Sequence, residues 1–177
     1  MPSSVEFSST VDQPAEFWLG IEQFNQGDYY ACHDTLEAIW MAANTCDQAF
    51  YQGILQIAVG LYHLTNLNWQ GAAILLGEGS HRLDAYEDTY GGIDVADLVD
   101  QAIAWLTALQ TTGPDQVQPL ASALSARSDG SLAIASDDIE DGDTLIPPKI
   151  RMACTICSDT SSPNTDLADI ESTDINL

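Results

Sequence analysis

His33 and Glu37 stand four residues apart in the run His33-Asp34-Thr35-Leu36-Glu37-Ala38-Ile39-Trp40, and Gln52, Gln56 and His63 punctuate the apolar stretch that follows. At this spacing both members of a pair project from one face of a helix. It is the spacing by which a helix offers two metal ligands. It also lets a carboxylate and an imidazole share acid–base work. A third metal ligand would have to come from His63 or Asp34; Asp34 points about 100° away from the His33 direction, His63 lies further along the chain, and glutamine is a poor zinc ligand. The non-catalytic alternative is a hydrogen-bonded network, because polar groups buried in apolar helices need partners. In that reading the amides of Gln52 and Gln56 satisfy Glu37 and His33 and fix the register of the two helices.

Helical phase sharpens the geometry. At about 100° per residue, Gln52, Gln56, Val59 and His63 fall within roughly 60° of arc, and Tyr30, His33, Glu37, Trp40 and Asn44 occupy a similarly narrow arc of the preceding helix. A hairpin turning near Thr45-Cys46 puts His33 level with about residue 57 and Glu37 with about residue 53. The expected pairs are therefore His33 with Gln56 and Glu37 with Gln52, with Trp40 beside them and His63 near Tyr29 and Tyr30. These six residues, His33, Glu37, Trp40, Gln52, Gln56 and His63, form the candidate pocket. His33, Glu37 and His63 are its weak metal candidates.

The elements that carry the line read as helices. Phe17, Trp18, Ile21 and Phe24 recur at helical spacing over 13–26, with Pro14 suited to an early helical position and Gly27 as the stop. Asp28 caps a second helix over 29–44. The third, 48–67, is apolar almost all round and belongs in the middle of a bundle. Asn68 caps a fourth, ended by Gly91-Gly92, and a fifth runs from about 94 to 112 before Gly113-Pro114. Glycines at 53, 60, 71, 77 and 79 cost about 1 kcal/mol each in a helix interior relative to alanine. Close helix approach explains them, with Gly53, Gly60 and Leu64 along one seam. The connections are too short for crossovers, so the expected fold is all-α: an antiparallel bundle of about five helices over 1–112, with an acidic, mostly irregular, partly disordered C-terminal extension over 113–177.

The 177 residues carry 27 acidic side chains against four basic ones, for a formal charge of −23. Before residue 113 only Arg82 opposes 15 carboxylates. Such a surface repels phosphate backbones, which argues against nucleic-acid binding. Acid spread through the helices and near-absence of lysine favour a halophilic source over an acidic interaction tail, since molar salt screens the self-repulsion. No apolar run is long enough to span a membrane, and the start Met1-Pro2-Ser3-Ser4-Val5-Glu6 lacks signal-peptide character. A cytoplasmic location is expected. Four cysteines in such a chain read as thiols before disulfides.

The blocks Phe24-Asn25-Gln26-Gly27-Asp28-Tyr29-Tyr30-Ala31-Cys32-His33-Asp34-Thr35-Leu36-Glu37-Ala38-Ile39-Trp40, Gln52 to His63, and Asn68-Trp69-Gln70-Gly71-Ala72 resemble, in order, the family known as domain of unknown function 309. The resemblance covers roughly residues 17 to 110 and is nearest to its haloarchaeal branch. It implies an all-α fold and a short cytoplasmic protein, and no established activity. Leu36 stands where that branch commonly has tryptophan, which implies an inner pocket of different shape, with Trp40 supplying part of the volume.

Other motifs carry less. Cys154-Thr155-Ile156-Cys157 has zinc-knuckle spacing without a second pair. His81, beside Arg82, reads as a solvated surface histidine. There is no phosphate loop or nucleophile elbow. In the extension, Ser131 to Ile134 and Thr144 to Ile146 either pair as a small hairpin or lie across the bundle, and Pro147-Pro148 ends such a strand. Three functions stay open: a non-catalytic binding or assembly module for an unknown small molecule or protein, an enzyme using His33 and Glu37, and a metalloprotein. No cofactor is expected beyond that possible metal. Trp18, Trp69 and Trp105 on helix faces leave room for a homodimer.

Overall fold

The structure, a computed structural model, describes residues 13–125 and 145–153. Six helices account for most of these residues: α1 (Ala15–Gln26), α2 (Tyr29–Ala42), α3 (Thr45–Thr65), α4 (Trp69–Leu83), α5 (Val95–Thr112) and α6 (Val117–Ser125). The all-α expectation holds. Helix starts are set by local chemistry, since the first amides of a helix lack intrahelical partners. The Asp28, Asn68 and Asp94 side chains accept from the N–H groups of Ala31, Gly71 and Asp97. Asn44 Oδ1 does the same for Asp47 at 3.1 Å, so α3 begins earlier than the spacing alone suggests.

α3 is the central element, packed between α2 and α4 with α6 across it. Its apolar circumference follows from that position: Phe50, Ile54, Ile57, Leu61 and Leu64 are fully buried. The α3–α4 seam is the closest approach in the bundle. A Cβ on Gly53 would lie 2.6 Å from Leu83 Cγ, one on Gly60 3.0 Å from the Leu76 amide nitrogen, and one on Gly79 2.9 Å from the Gly53 carbonyl oxygen. Gly77 is the exception, where an added Cβ meets only Leu106 at 3.6 Å.

Between α4 and α5 the chain departs from the expected course. α4 ends at Leu83, and Gly91-Gly92 forms the turn of a small antiparallel hairpin, β1 (Thr89–Tyr90) and β2 (Ile93–Asp94). Both glycines have positive φ, +59° and +82°, as two-residue hairpin turns require. The Tyr90 hydroxyl donates to Asp47 at 2.8 Å, and its ring stands 4.8 Å from Phe50, which ties the hairpin to α3.

The bundle also extends past residue 112. After a 3₁₀ turn at Pro114–Gln116, α6 buries Val117, Ala121 and Leu124 at helical spacing. Residues 145–153 lie against the bundle, bonded to α1, α5 and the hairpin. Residues 131–134 and Cys154–Cys157 lie outside the described residues. The three tryptophans offered for a dimer are used within the chain. Trp69 and Trp105 donate to the carbonyls of Leu109 and Ile146, and Trp18 packs edge-on against Phe17.

Candidate functional site

The predicted line runs along α2 and α3 and is partly exposed rather than a buried seam. Its side chains are half-buried: His33, Glu37, Trp40, Gln52, Gln56 and His63 all retain intermediate exposure. The register is close to that expected. Tyr30 of α2 stacks on Tyr62 of α3 with ring centroids 5.6 Å apart, and Tyr62 in turn neighbours the His63 ring.

The expected partnerships do not form. Gln56 turns toward α4: its amide donates to Glu78 Oε2 at 2.8 Å and its carbonyl oxygen accepts from Arg82 Nε at 3.0 Å. It makes no hydrogen bond to His33. The reason is azimuthal. α3 lies between two helices, and the Gln56 side chain is engaged by α4. Glu78 and Arg82, one turn apart on α4, are site residues that the reading of α2 and α3 missed. Their signal was present as an i,i+4 acid–base pair on a helix adjacent in sequence.

His33 pairs instead with its neighbour. Its Nδ1 lies 3.2 Å from Asp34 Oδ1, with the two side chains 33% and 56% exposed. A carboxylate only accepts, so Nδ1 carries the proton and Nε2 of the neutral ring keeps its lone pair. Asp34, set aside as pointing away, is therefore what orients the imidazole. In so exposed a position the pair adds little stability.

His63 is held at the far end of the groove. Asn68 Oδ1 accepts from Gly71 N–H, so the Asn68 amide nitrogen faces His63 Nδ1, at 3.0 Å, and must donate. His63 Nδ1 accepts, which places the ring proton on Nε2. Gly71 makes room: a Cβ there would come within 2.9 Å of His63 Cγ.

Glu37 and Gln52 have no hydrogen-bonding side-chain partner among the described residues. Trp40 Nε1 is buried and likewise unpartnered. Leu36 is fully buried against Gly20 of α1, so its identity shapes the α1–α2 contact rather than the groove. Among the described residues no three His, Cys, Asp or Glu side chains are grouped to hold a metal ion. No described helix is long and apolar enough to cross a membrane.

One comparison concerns the part of the chain that carries this line of side chains. Residues 17–75 match the family described as domain of unknown function (DUF309). The match is shorter than the 17–110 expected from the motifs. It takes in α1, α2, α3 and the opening of α4, and with them all six predicted residues. Glu78 and Arg82, the hairpin, α5 and the extended segment lie beyond the DUF309 match. No curated protein and no solved structure matches the chain.

Proposed function

We propose that this protein is a non-catalytic binding module whose groove takes a small polar ligand between α2 and α3. The observation that carries this reading is unspent hydrogen-bonding capacity. Glu37, Gln52 and the Trp40 N–H are set on two neighbouring helices and none has a hydrogen-bond partner among the described residues. Of these, the Trp40 N–H is buried, and an unmet buried donor costs on the order of 1–3 kcal/mol, whereas Glu37 and Gln52 are half-buried and open to a ligand. The engaged members, Gln56 and His63, are held from α4 and from the α3–α4 turn, which keeps the walls of the groove in place.

Melting curves of Glu37→Gln and His33→Ala test the reading. Side chains without structural partners leave stability within about 0.5 kcal/mol, or about 2 °C, of wild type. Native mass spectra and elemental analysis of untagged protein give the second readout: a co-purifying small molecule that Glu37→Ala and Gln52→Ala lose. Large destabilisation by both variants, with no bound mass, identifies the line as structural and overturns the proposal. Stoichiometric metal overturns it in favour of a metalloprotein.

A further inference from the structure

Residues 145–153 are gripped by the bundle mainly through their backbone. The Gln101 carboxamide of α5 donates to the Lys149 carbonyl at 3.0 Å and accepts from the Lys149 N–H at 2.8 Å. The Asn25 carboxamide of α1 does the same for Ile150, at 2.9 and 2.7 Å. Successive residues of an extended chain present their backbone groups to opposite sides, so the two carboxamides clasp the segment from α5 and from α1. Trp105 Nε1 donates to the Ile146 carbonyl at 2.9 Å. Beyond the clasp, the Asp94 N–H donates to the Arg151 carbonyl and the Ala153 N–H to the Gly92 carbonyl, and Met152 bridges Ile93, which adds the segment to the β hairpin.

Side-chain recognition is sparse. Pro148 and Ile150 point inward and are buried, whereas Ile146 and Met152 are 71% and 63% exposed. Arg151 pairs with Asp97 at 2.7 Å. Lys149 and Arg151 are two of only four basic residues in a chain of formal charge −23, and both fall in this one stretch. The segment does not fill its trough: a cleft of about 210 Å³ remains beside it, bordered by Gln101, Ala104, Trp105, Ile146, Pro147 and Arg151.

We propose that the trough between α1, α5 and the hairpin is a receptor for an extended, cationic peptide segment of a partner protein, with residues 145–153 as its resident occupant. Backbone clasping gives affinity independent of sequence, as in other strand-addition sites. Specificity comes from two inward apolar residues two apart and a basic residue after the second. Asp97, which holds Arg151 at 2.7 Å, favours a basic residue at that position, and the unfilled cleft accepts a larger side chain where the resident has Pro147. A tethered occupant competes at an effective concentration in the millimolar range. The partner must therefore displace it, and the trough is revealed when the resident is weakened.

The test uses the full chain and a fluorescein-labelled peptide with the sequence of residues 145–153. Ile150→Asp removes the buried anchor of the resident and leaves the trough intact. This variant is expected to bind the peptide at least tenfold tighter than wild type does. Adding Asn25→Ala or Gln101→Ala should weaken that binding on the order of tenfold. A peptide carrying Lys149→Glu and Arg151→Glu should bind more weakly still. A helical Ile150→Asp chain that ignores the peptide overturns the proposal, as does binding indifferent to Asn25 and Gln101. Should Ile150→Asp fail to fold, a protease site placed within 126–144 and cut after folding serves instead. Retention of the C-terminal piece on gel filtration, with displacement by excess peptide, supports the proposal; a piece that leaves unaided or resists displacement overturns it. Dimers formed by exchange of residues 145–153 between copies, with no uptake of peptide, also overturn it.

Discussion

Arg82 Nε donates to Gln56 Oε1 at 3.0 Å, joining α4 to α3 through the only basic side chain before residue 127. Because the Gln56 amide also donates to Glu78, an uncharged residue bridges an acid and a base on the neighbouring helix. The bridge orients the amide, while Glu37 and Gln52 have no hydrogen-bond partner among the described residues.

A double-mutant cycle checks this bridge. Gln56→Ala is expected to cost about 0.5–1.5 kcal/mol, with a coupling of about 0.5 kcal/mol or more to Arg82→Ala. The corresponding cycle between Gln56→Ala and His33→Ala should be additive. Coupling to His33 with none to Arg82 would restore the α2–α3 pairing and contradict the structure.

The contrast between these two partners shows what the sequence could and could not disclose. The helices were legible because Phe17, Ile21 and Phe24, or Ile54, Ile57 and Leu61, repeat at the helical period. Asp28 and Asn68 announced their caps. Phase put Gln52, Gln56 and His63 on one arc of α3. It could not say which of two flanking helices would claim Gln56, because hairpin register sets height along an axis and not the tilt between three helices. The β hairpin escaped notice because strands of two residues have no period. Residues 145–153 escaped because a segment held by its backbone leaves little pattern in its side chains, and the clasp residues Asn25 and Gln101 look like ordinary helix-surface amides.

The α3–α4 seam separates glycines that are needed from one that is not. At Gly79 an added Cβ meets Ile57 Cγ1 at 2.7 Å and the Gly53 carbonyl at 2.9 Å, and backbone atoms cannot move aside without parting the helices. Gly79→Ala is expected to destabilise by about 1–3 kcal/mol despite better helix propensity. Gly77→Ala meets only Leu106 at an ordinary distance and should stabilise by up to about 1 kcal/mol. Urea midpoints of the two variants should move in opposite directions. Equal shifts would show that this seam is not the tight one.

Alkaline pH should destabilise the fold through Cys32. Burial, reinforced by the nearby Asp28 carboxylate, pushes its thiol up from 9.0 to about 12. Below pH 9 the thiol is protonated in both folded and unfolded chains and stability is unaffected. Above it only the unfolded chain ionises, so stability falls by about 1.4 kcal/mol per pH unit until the folded thiol titrates near 12. Tyr51, also raised by burial and by Asp47, adds to the loss at higher pH. Denaturant midpoints between pH 8 and 11 should therefore fall, and less steeply in Cys32→Ala. Identical slopes would remove Cys32 as the cause.

Salt dependence tests the meaning of the acidic surface. The chain has 27 acidic residues, yet among the described residues its ion pairs are Arg151 with Asp97 and, when the ring is protonated, His33 with Asp34. Most carboxylates therefore repel without local compensation. The Debye length shrinks from about 10 Å at 0.1 M salt to about 3 Å at 1 M, shorter than most separations between surface charges. A protein suited to molar salt should lose helicity on dialysis to millimolar salt and recover it on return. Circular dichroism melts of the full chain across that range give the measurement, with sodium chloride and potassium chloride compared to separate screening from ion-specific effects. Neutralising a carboxylate that forms no ion pair among the described residues, as in Asp100→Asn, should raise the melting temperature at low salt and leave it unchanged at high salt. A melting temperature constant from millimolar to molar salt would show that the charge density is tolerated without screening, and would sink the halophilic reading.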